Sequence, residues 1–350
     1  MLSHLRANLW LLLLTLVLCS VLYPLALWLL GRTFFPHQAE GSLIGKHGEP
    51  VRSGDEAIGS RLIAQPFTAD QYFQPRPSAV FYNAAASGAS NWAASNYRLR
   101  ERVARKLGPI VKYKSGPRAG QPVGPDIESW FQADQYGGKH GIVAQWAQAH
   151  PAIAQDWVKA DKLNSDFVGA WQQSHPDEVE RWKKEHPETP DPKPEDLAVV
   201  FFESYSRTSP GTFPGSVEHK TPEGKSEKRI EAVRQGTDIQ GVFFDMWRQE
   251  YANVELEDVP ADMVMASGSG LDPHITLKNA LYQLDRVAAK WAEDTKRNPT
   301  SVKNDIEQLL RDNAEEPFGG LVGPELVNVL QVNVALSNHF ASSSRTTTEK

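Results

Sequence analysis

An apolar run from Leu9 to Leu30 opens this chain, and no other stretch resembles it. Roughly 20 apolar residues are enough to cross the hydrocarbon core of a bilayer as one helix. The run is longer than the apolar part of a cleaved signal peptide, and it ends in Trp28-Leu29-Leu30-Gly31-Arg32 rather than in the small residues of a cleavage site. The sequence therefore predicts an uncleaved single-span anchor, 9–30, followed by a water-soluble body.

Charges beside the run say little about its orientation. His4 and Arg6 precede it and Arg32 follows it, so the excess of positive charge on either side is slight. A short cytoplasmic segment, residues 1–8, with the body outside is the simpler topology. Pro24 lies inside the run and is expected to kink the helix.

Composition excludes several classes of function. The 350 residues carry a formal charge of -6, which argues against binding nucleic acid through basic patches. The only cysteine, Cys19, lies inside the apolar run, so neither a disulfide within the chain nor a cysteine-based zinc site is possible. Leu18 precedes Cys19 where lipidation needs a small residue, which disfavours a lipoprotein.

The body divides by composition into a first part, 31–113, a middle part, 114–254, and a last part, 255–337. A polar tail, 338–350, follows, and from Ser342 to Lys350 it holds too few apolar residues to be ordered by its own packing. The middle part is dense in proline, tryptophan, histidine, lysine and glutamate, unlike its neighbours. This contrast predicts one discontinuous domain, 31–113 with 255–337, that is interrupted by an insertion.

Two amphipathic helices are predicted, one on each side of the middle part. Asn96 is placed to cap a helix over about 97–107, and Thr276 precedes the clearest apolar periodicity of the body, 277–291. A further helix is expected from near Ser301, with Thr300 as its cap.

The alternation of apolar and polar residues over 330–336 predicts a terminal strand, paired with strands of the first part. The predicted fold class is therefore a single N-terminal transmembrane helix with an α+β soluble domain, interrupted by a mainly helical insertion.

The middle part contains an internal repeat. The pattern Trp146-x3-His150-Pro151-x5-Trp157 recurs at Trp171-x3-His175-Pro176-x5-Trp182, and a partial third copy follows as His186-Pro187. Proline is favourable at the first position of a helix, so each unit is predicted to be a short helix that starts at proline and buries its tryptophan. Each histidine is interpreted as a helix terminator rather than a metal ligand, because the following proline disfavours helical geometry there. A metal site at these histidines remains a weaker alternative.

One stretch of the last part carries residue types used in nucleophilic catalysis. Ser269, Asp272 and His274 follow one another within 267–275, a Ser-Gly-Ser-Gly-Leu-Asp-Pro-His-Ile sequence. A catalytic triad needs its members side by side in space, which near neighbours on one loop rarely achieve. A glycine-rich turn that leads into the next helix is the preferred interpretation.

Other short polar stretches, 72–79, 87–91 and Ser95-Asn96, can supply turns and caps or line a surface that binds a partner or a hydrated ion. Neither phosphate-binding glycine motif is present, and HExxH, paired CxxC and EF-hand patterns are missing too. No cofactor is therefore predicted by motif.

Several of these stretches, in their order along the chain, resemble the C subunit of the Kdp potassium-transporting ATPase, the KdpC family. The resemblance covers about 1–113 and 255–337, and leaves the 114–254 segment out. The motif residues, which we expect to hold the fold or to contact partners, are Tyr23, Pro24, Gly59, Ser60, Tyr72, Phe73, Arg76, Pro77, Ser78, Ser87, Gly88, Ser90, Asn91, Ser95, Asn96, Ser267, Gly268, Ser269, Gly270, Leu271, Asp272, Pro273, His274, Gln283, Arg286, Asn328 and Asn333.

The sequence departs from the family pattern at several positions. Ala64 and Ala89 replace glycines that are usual in the family, and Trp92 stands where leucine is common. Gly323-Pro324-Glu325-Leu326 is a looser version of the family's Gly-Glu-Pro-Arg.

The resemblance implies a non-catalytic subunit of the bacterial inner membrane. Its implied partners are a channel-like subunit that selects K⁺ and a P-type ATPase subunit, which would hold the ATP. The family's C subunit is described as aiding assembly and as a catalytic chaperone that raises ATP affinity. This chain lacks the Asp-Lys-Thr-Gly-Thr phosphorylation loop, so ATP chemistry is expected in a partner. The alternatives are a membrane-anchored hydrolase and a module that binds the cell envelope through the repeats.

Overall fold

The N-terminal run forms one continuous helix in the structure, a computed structural model that describes residues 2–134, 136, 140–220 and 225–346. Helix α1, Leu2–Val17, continues through one π-helical turn at Leu18–Leu22 into helix α2, Tyr23–Phe34. The stretch Ser3–Phe34 is long and apolar enough to cross a membrane, and the rest of the chain buries none of it. The helix continues past Pro24, where a kink is predicted, and its hydrogen-bond pattern changes at the π-helical turn just before this residue.

The chain divides into two compact units. One, here called the split unit, consists of Met1–Ser90 and Pro260–Lys350; the other, the middle unit, is Asn91–Val259. The middle unit therefore begins and ends outside the 114–254 segment that composition singles out. That division into an insertion and a discontinuous domain stays a prediction.

The first part of the split unit has little regular structure after the long helix. A short helix α3, Pro36–Ala39, leads into strands β1, Leu43–Gly45, and β2, Ala57–Ser60, which pair antiparallel. From residue 61 to residue 90 the described chain has no helix or strand, so other groups must satisfy its backbone.

The middle unit is mainly helical. Helix α4, Tyr97–Ile110, starts where the sequence predicted, and the Asn96 side chain accepts a hydrogen bond from the Arg98 N–H. The following helices are α5 Gly124–Gln132, α6 Ile142–Ala149, α7 Pro151–Ala160, α8 Lys162–Ser174, α9 Pro176–Glu185 and α10 Ala198–Thr208. An antiparallel hairpin, β3 Phe213–Lys220 and β4 Ser226–Val233, then precedes α11 Thr237–Val242 and α12 Phe244–Glu250.

The repeats build the aromatic core of the middle unit. Trp146 is 1% exposed and packs edge-on against Phe202 and Phe213. Pro151 and Pro176 begin helices α7 and α9, as predicted. Edge-to-face pairs of this kind add to the burial of apolar area, so the repeated tryptophans serve packing.

The third partial copy does not behave as predicted, because Pro187 begins no helix. Three further prolines follow closely, Pro190, Pro192 and Pro194. Each removes a backbone N–H and keeps the residue before it out of helical geometry. The stretch therefore runs as turns and irregular chain as far as helix α10.

The second part of the split unit is a small sheet packed with helices. Strand β7 lies between β5 and β6, and both pairings are antiparallel. The elements in chain order are α13 Ala261–Val264, β5 His274–Thr276, α14 Leu277–Thr295, α15 Pro299–Asp312, β6 Ala314–Glu315, β7 Leu326–Asn328 and α16 Val329–Thr346.

One predicted cap is confirmed and the other is wrong. The Thr276 side chain accepts a hydrogen bond from the Asn279 N–H at the start of α14. Helix α15 is capped by Asn298, not Thr300, and the Asn298 side chain accepts from the N–H groups of Thr300 and Ser301. Pro299 is compatible with the first helical position, so the helix starts two residues earlier than expected.

The terminal strand predicted over 330–336 is wrong, since these residues lie in helix α16. Val332 and Leu336 face the same core as α14 and α15, while Leu330 and Val334 pack with Ile44. A helix buried on two faces places apolar residues at alternate positions, and this imitates the period of a strand.

The polar tail predicted over 338–350 is also partly wrong. Helix α16 continues to Thr346, and Phe340 is 1% exposed within it. Residues 347–350 lie outside the described part of the chain.

Candidate functional site

Residues 70–74, here called the strap, have backbone N–H and carbonyl groups whose hydrogen-bond partners are side chains. The Phe73 N–H donates to Asn333 Oδ1 at 2.8 Å, and Asn333 Nδ2 donates back to the Phe73 carbonyl at 2.9 Å. Phe73 is fully buried and Asn333 is 2% exposed. One side-chain amide therefore takes the place of a neighbouring strand for a residue that water cannot reach.

Gln283 holds the next residue of the strap in the same way. Gln283 Oε1 accepts from the Gln74 N–H at 2.8 Å, and Gln283 Nε2 donates to the Gln74 carbonyl at 3.0 Å. The same Nε2 donates to Asn279 Oδ1 at 2.8 Å, which fixes the orientation of the amide. Gln283 and Asn279 are one turn apart on helix α14, so the helix presents a preformed acceptor and donor.

The remaining carbonyls of the strap also accept hydrogen bonds from α14. Arg286 donates to the carbonyls of Asp70 at 2.8 Å and Tyr72 at 3.1 Å, and Trp291 Nε1 donates to the Gln71 carbonyl at 2.8 Å. Burial lowers the pKa of Arg286. The predicted motif residues Gln283, Arg286 and Asn333 are therefore brought together in one role, which is to hold the strap.

A turn over residues 78–82, here called the strained turn, follows the strap. Ser78 Oγ donates to the Gly270 carbonyl at 2.6 Å and accepts from the Tyr82 N–H at 2.9 Å. Phe81 and Tyr82 adopt left-handed backbone angles, with φ of 53° and 58°. Such geometry in non-glycine residues costs about 1–3 kcal/mol each and persists only where surrounding contacts impose it.

The strained turn displays one large apolar side chain. Phe81 is 90% exposed, whereas the Tyr82 hydroxyl points inward and donates to the Arg76 carbonyl at 2.9 Å. Burial raises the pKa of the Tyr82 hydroxyl. Sequence reasoning missed both residues, because a left-handed aromatic pair has no sequence signature of the kind that glycine or asparagine gives.

The predicted motif around Gly270 supports this turn. Gly270 has a φ of +69°, and the Gly88 N–H donates to the Ser269 carbonyl at 2.8 Å. A Cβ at Gly270 would lie 2.7 Å from the Gly88 carbonyl oxygen and 2.7 Å from Val80 Cγ2. Glycine is therefore required here for conformation and for space.

A partly buried ion pair between Arg76 and Asp272, with His274 beside it, lies next to the turn. Asp272 Oδ1 accepts from the His274 N–H at 3.0 Å and lies 3.3 Å from His274 Nδ1. Arg76 Nη1 lies 3.4 Å from Asp272 Oδ2. Hydrogen bonding from His274, with a smaller contribution from the Arg76 charge, lowers the pKa of Asp272.

The hydrolase alternative needs a contact that is not found. Within the described residues no hydrogen bond joins Ser269 to His274; Ser269 Oγ instead accepts from the Leu271 N–H at 3.1 Å. Nucleophilic catalysis requires the nucleophile and its base within hydrogen-bond reach. The arrangement can orient a loop, and it offers no activated nucleophile.

The lowered pKa of Asp272 gives a prediction about acid stability. A carboxyl whose folded pKa lies below its ordinary value of about 3.9 stabilises the fold above that value and loses the effect as pH falls through the folded pKa. We expect Asp272→Asn to lower stability at pH 7 by about 1 kcal/mol or less, since the carboxyl is partly exposed. The difference from the unmodified chain should shrink progressively as pH falls below the ordinary carboxyl pKa and through the lowered pKa of Asp272.

Urea midpoints of the detergent-solubilised chain at pH 7 and pH 3 measure this effect. Asp55→Asn, at an exposed carboxylate of the same unit, is the control and should change neither midpoint. An Asp272→Asn deficit that is as large at pH 3 as at pH 7 would contradict the ion-pair account.

The other predicted motif residues are mostly structural as well. Ser60 Oγ donates to the Gly41 carbonyl at 2.7 Å, and Asn328 Nδ2 donates to the Arg61 carbonyl at 2.9 Å. Further backbone bonds join the Ser267 N–H to the Pro77 carbonyl at 3.3 Å, the Ala64 N–H to the Leu271 carbonyl at 2.9 Å, and the Val329 N–H to the Pro273 carbonyl at 3.0 Å. Ser87 Oγ donates to the Ser269 carbonyl at 3.2 Å.

A few motif residues lie apart from this arrangement. Ser90, Asn91 and Ser95 make no side-chain hydrogen bond within the described residues, and Asn91, Ser95 and Asn96 belong to the middle unit. A Cβ added at Gly59 would be within 3 Å of Leu330 Cδ2, whereas Gly268 faces open space. Tyr23 is 63% exposed in the long helix.

The repeat histidines act as helix ends. His175 Nδ1 and His186 Nδ1 each lie 3.0 Å from the carbonyl of the tryptophan four residues earlier, and both rings stack on that tryptophan. His150 also ends its helix. No group of three or more potential ligands that could hold a metal occurs among the described residues. The interpretation as terminators therefore has geometric support.

Backbone N–H groups of the 267–271 loop are not arranged for a nucleotide phosphate. The Gly270 N–H donates to the Ser267 carbonyl and the Leu271 N–H to Ser269 Oγ, so both are engaged within the loop. The loop also leads into strand β5, whereas phosphate-binding loops present free N–H groups at the start of a helix. The loop therefore differs from a phosphate-binding glycine loop in both respects.

A groove of about 490 Å³ lies along helix α16 in the split unit, and sequence reasoning did not anticipate it. Its lining includes the polar residues Lys46, His47 and Asn338 and the apolar residues Leu330 and Val334. Its lining comes from segments far apart in the chain, so no local pattern could have indicated it.

The family model of the K⁺-transporting ATPase c chain matches residues 5–127 and 224–338, and leaves 128–223 unmatched. The chain is 44% identical over 124 residues to a potassium-transporting ATPase KdpC subunit of Cronobacter sakazakii, covering 35% of this chain and 62% of that protein. It is 42% identical over 115 residues to the KdpC subunit of Pseudomonas syringae pv. tomato, covering 33% and 57%.

The match to a third relative is longer. The chain is 36% identical over 183 residues to KdpC subunit 2 of Staphylococcus aureus, covering 45% of this chain and 95% of that protein. The first two alignments span about three fifths of their relatives' length.

Proposed function

This chain belongs to the family of K⁺-transporting ATPase c chains, and from this premise we propose that it is a non-catalytic subunit of a potassium-transporting ATPase. Its role is to assemble with the transport subunits through a membrane anchor and the body that follows it. The motif residues of the body support this role, because they hold the strap and the strained turn and form no nucleophile–base pair.

The long N-terminal helix is the observation that carries the proposal. None of the apolar stretch Ser3–Phe34 is buried by the rest of the chain. Exposed apolar area of this extent is stable only in a bilayer or against other apolar helices. A single-pass anchor among the membrane-spanning subunits of a transporter fits that requirement.

The partners are a K⁺-selecting channel-like subunit and a P-type ATPase subunit, and ATP is held by the latter. We place the body outside the membrane, beside the ion entrance, with residues 1–8 in the cytoplasm. A body outside cannot touch ATP on the cytoplasmic side. Its effect on ATP affinity is therefore indirect. The body must favour one conformation of the complex, and that conformation must bind ATP more tightly than the alternative.

Residues 114–254 are proposed to be dispensable for transport. They contain most of the aromatic core of the middle unit and all of the residues 128–223 that the family model leaves unmatched. An envelope-binding role for this segment alone is the second candidate, since Trp157 and Trp182 of its repeats are only partly buried.

Potassium uptake tests the proposed function and the dispensability of residues 114–254 together. The full chain is expressed in bacteria that lack their own c chain, and growth is followed at micromolar K⁺. A second variant replaces residues 114–254 with a short flexible linker of glycine and serine residues, because the flanking residues Tyr113 and Leu256 already pair as an antiparallel bridge. We expect both to restore uptake within about twofold of each other.

The outcomes separate the two statements. Failure of the full chain, when it is present in the membrane at normal level, would refute the proposed function. Rescue by the full chain together with failure of a stable shortened variant would refute only the dispensability of residues 114–254.

A further inference from the structure

The π-helical turn leaves a backbone carbonyl of the anchor without its usual donor. The Tyr23 N–H bonds to the Leu18 carbonyl, five residues back, instead of the Cys19 carbonyl four residues back. The next residue, Pro24, has no N–H to donate. The Cys19 carbonyl therefore has no helical donor, because neither the residue four positions ahead nor the residue five positions ahead donates to it. The Ser20 carbonyl loses the donor that would normally come from position 24.

A side chain at the same level is also without a partner. Thr15 Oγ1 donates to the Leu11 carbonyl at 2.8 Å and so satisfies its own hydroxyl within the helix. Ser20 Oγ makes no hydrogen bond within the described residues. The two aliphatic hydroxyls of the Leu9–Leu30 run thus differ, and of these two only that of Ser20 is without a hydrogen bond, next to the Cys19 carbonyl.

These groups lie where a bilayer tolerates them least. Residues 19 and 20 are at the centre of the Leu9–Leu30 run, with a similar length of apolar helix on either side. The hydrocarbon core offers no water, and each unsatisfied polar group there costs free energy. A helix carrying such groups at mid-depth is stabilised by a neighbour that supplies hydrogen bonds.

The balance of donors and acceptors selects the neighbour. At this level the helix has one full donor, the Ser20 hydroxyl, and one weak donor, the Cys19 thiol. Its acceptors are three: the Cys19 and Ser20 carbonyls, which have lost their α-helical donors at positions 23 and 24, and the Ser20 hydroxyl oxygen. A second copy brings the same deficit of donors and cannot correct it.

We infer that the face formed by Cys19 and Ser20 packs against a transmembrane helix of another subunit that carries an N–H-bearing side chain, an amide or a cation, at mid-membrane depth. This inference rests on the proposed function and adds the contact face and the chemistry of the partner.

The test compares two hydroxyl-to-leucine variants of the full chain, expressed together with the other ATPase subunits. Ser20→Leu removes the unsatisfied hydroxyl, and we expect about threefold to tenfold less partner subunit to copurify in mild detergent. Thr15→Leu removes a hydroxyl that is already satisfied, and it should change recovery by less than about twofold. Recovery of equal amounts with both variants would overturn the inference.

A photoreactive benzophenone attached to Cys19, the only thiol of the chain, identifies the neighbour. The control carries the label at Leu22→Cys in a Cys19→Ala background, about half a helical turn away from Ser20. We expect a crosslink from position 19 to another subunit, at a helix with an amide or cationic residue, and little from position 22. A crosslink to a second copy, to lipid alone, or equally from both positions would overturn the inference. Absence of any copurifying subunit would instead refute the proposed function.

Discussion

Replacing Asn333 with leucine is expected to lower the free energy of unfolding of the split unit by about 2–6 kcal/mol. Leucine has nearly the same shape as asparagine, so packing changes little. The substitution leaves the N–H and the carbonyl of fully buried Phe73 without partners. Each unsatisfied buried group of this kind costs about 1–3 kcal/mol. Pulse proteolysis of the detergent-solubilised chain in increasing urea, with fragments of the split unit identified by mass, measures the loss.

Asn338→Leu is the matched control on the same helix. Asn338 Nδ2 donates to the His47 carbonyl at 3.0 Å in an exposed position, where water can replace it. Its loss should cost less than about 1 kcal/mol. Equal effects of the two substitutions would contradict the view that Asn333 supports the strap.

Gly270→Ala is expected to cost about 2–5 kcal/mol in the same unit. Alanine in the left-handed region costs about 1–2 kcal/mol, and the new Cβ would approach the Gly88 carbonyl oxygen and Val80 Cγ2 to 2.7 Å. Overpacking against a backbone atom that cannot move freely adds about 1–3 kcal/mol. The apparent melting temperature, followed by circular dichroism and proteolysis, should fall by about 5–15 °C.

Gly268→Ala provides the control two residues earlier in the same loop. No atom lies within 4 Å of a Cβ at Gly268, and its backbone is not in the left-handed region. Its effect should stay within about 0.5 kcal/mol, or be slightly stabilising through a less flexible unfolded chain. A Gly268→Ala variant as unstable as Gly270→Ala would show that the loop, rather than the close approach at Gly270, limits stability.

Local patterns predicted the parts of this fold that local chemistry determines. Asn96 and Thr276 cap the helices that follow them, since a cap depends on only a few neighbouring residues. The anchor helix and the α+β class follow from runs of apolar residues and their periods. Helix α16 was missed because its two buried faces, toward different cores, imitate a strand.

The sequence could predict which residues belong to the site, but not how they are arranged in it. The resemblance brought Gln283, Arg286 and Asn333 into one set, and the structure shows why they belong together: their partners are backbone groups of the strap, some 200 residues away in the chain or more. No sequence pattern indicates which carbonyl a distant amide will meet. The exposed Phe81 was missed for a similar reason, because the contacts of Ser78 and Gly270 impose its backbone angles.

Copurification of the intact chain tests the central claim, membership of a potassium-transporting ATPase, most directly. The tagged full chain is extracted in mild detergent from cells that express the other subunits, and the recovered proteins are identified by mass spectrometry. We predict a stable complex with a multi-span K⁺-selecting subunit and a P-type ATPase subunit, with ATP hydrolysis that depends on K⁺ and is absent from the isolated chain. A solitary chain, recovered in quantity from cells that contain both partners, would contradict the account.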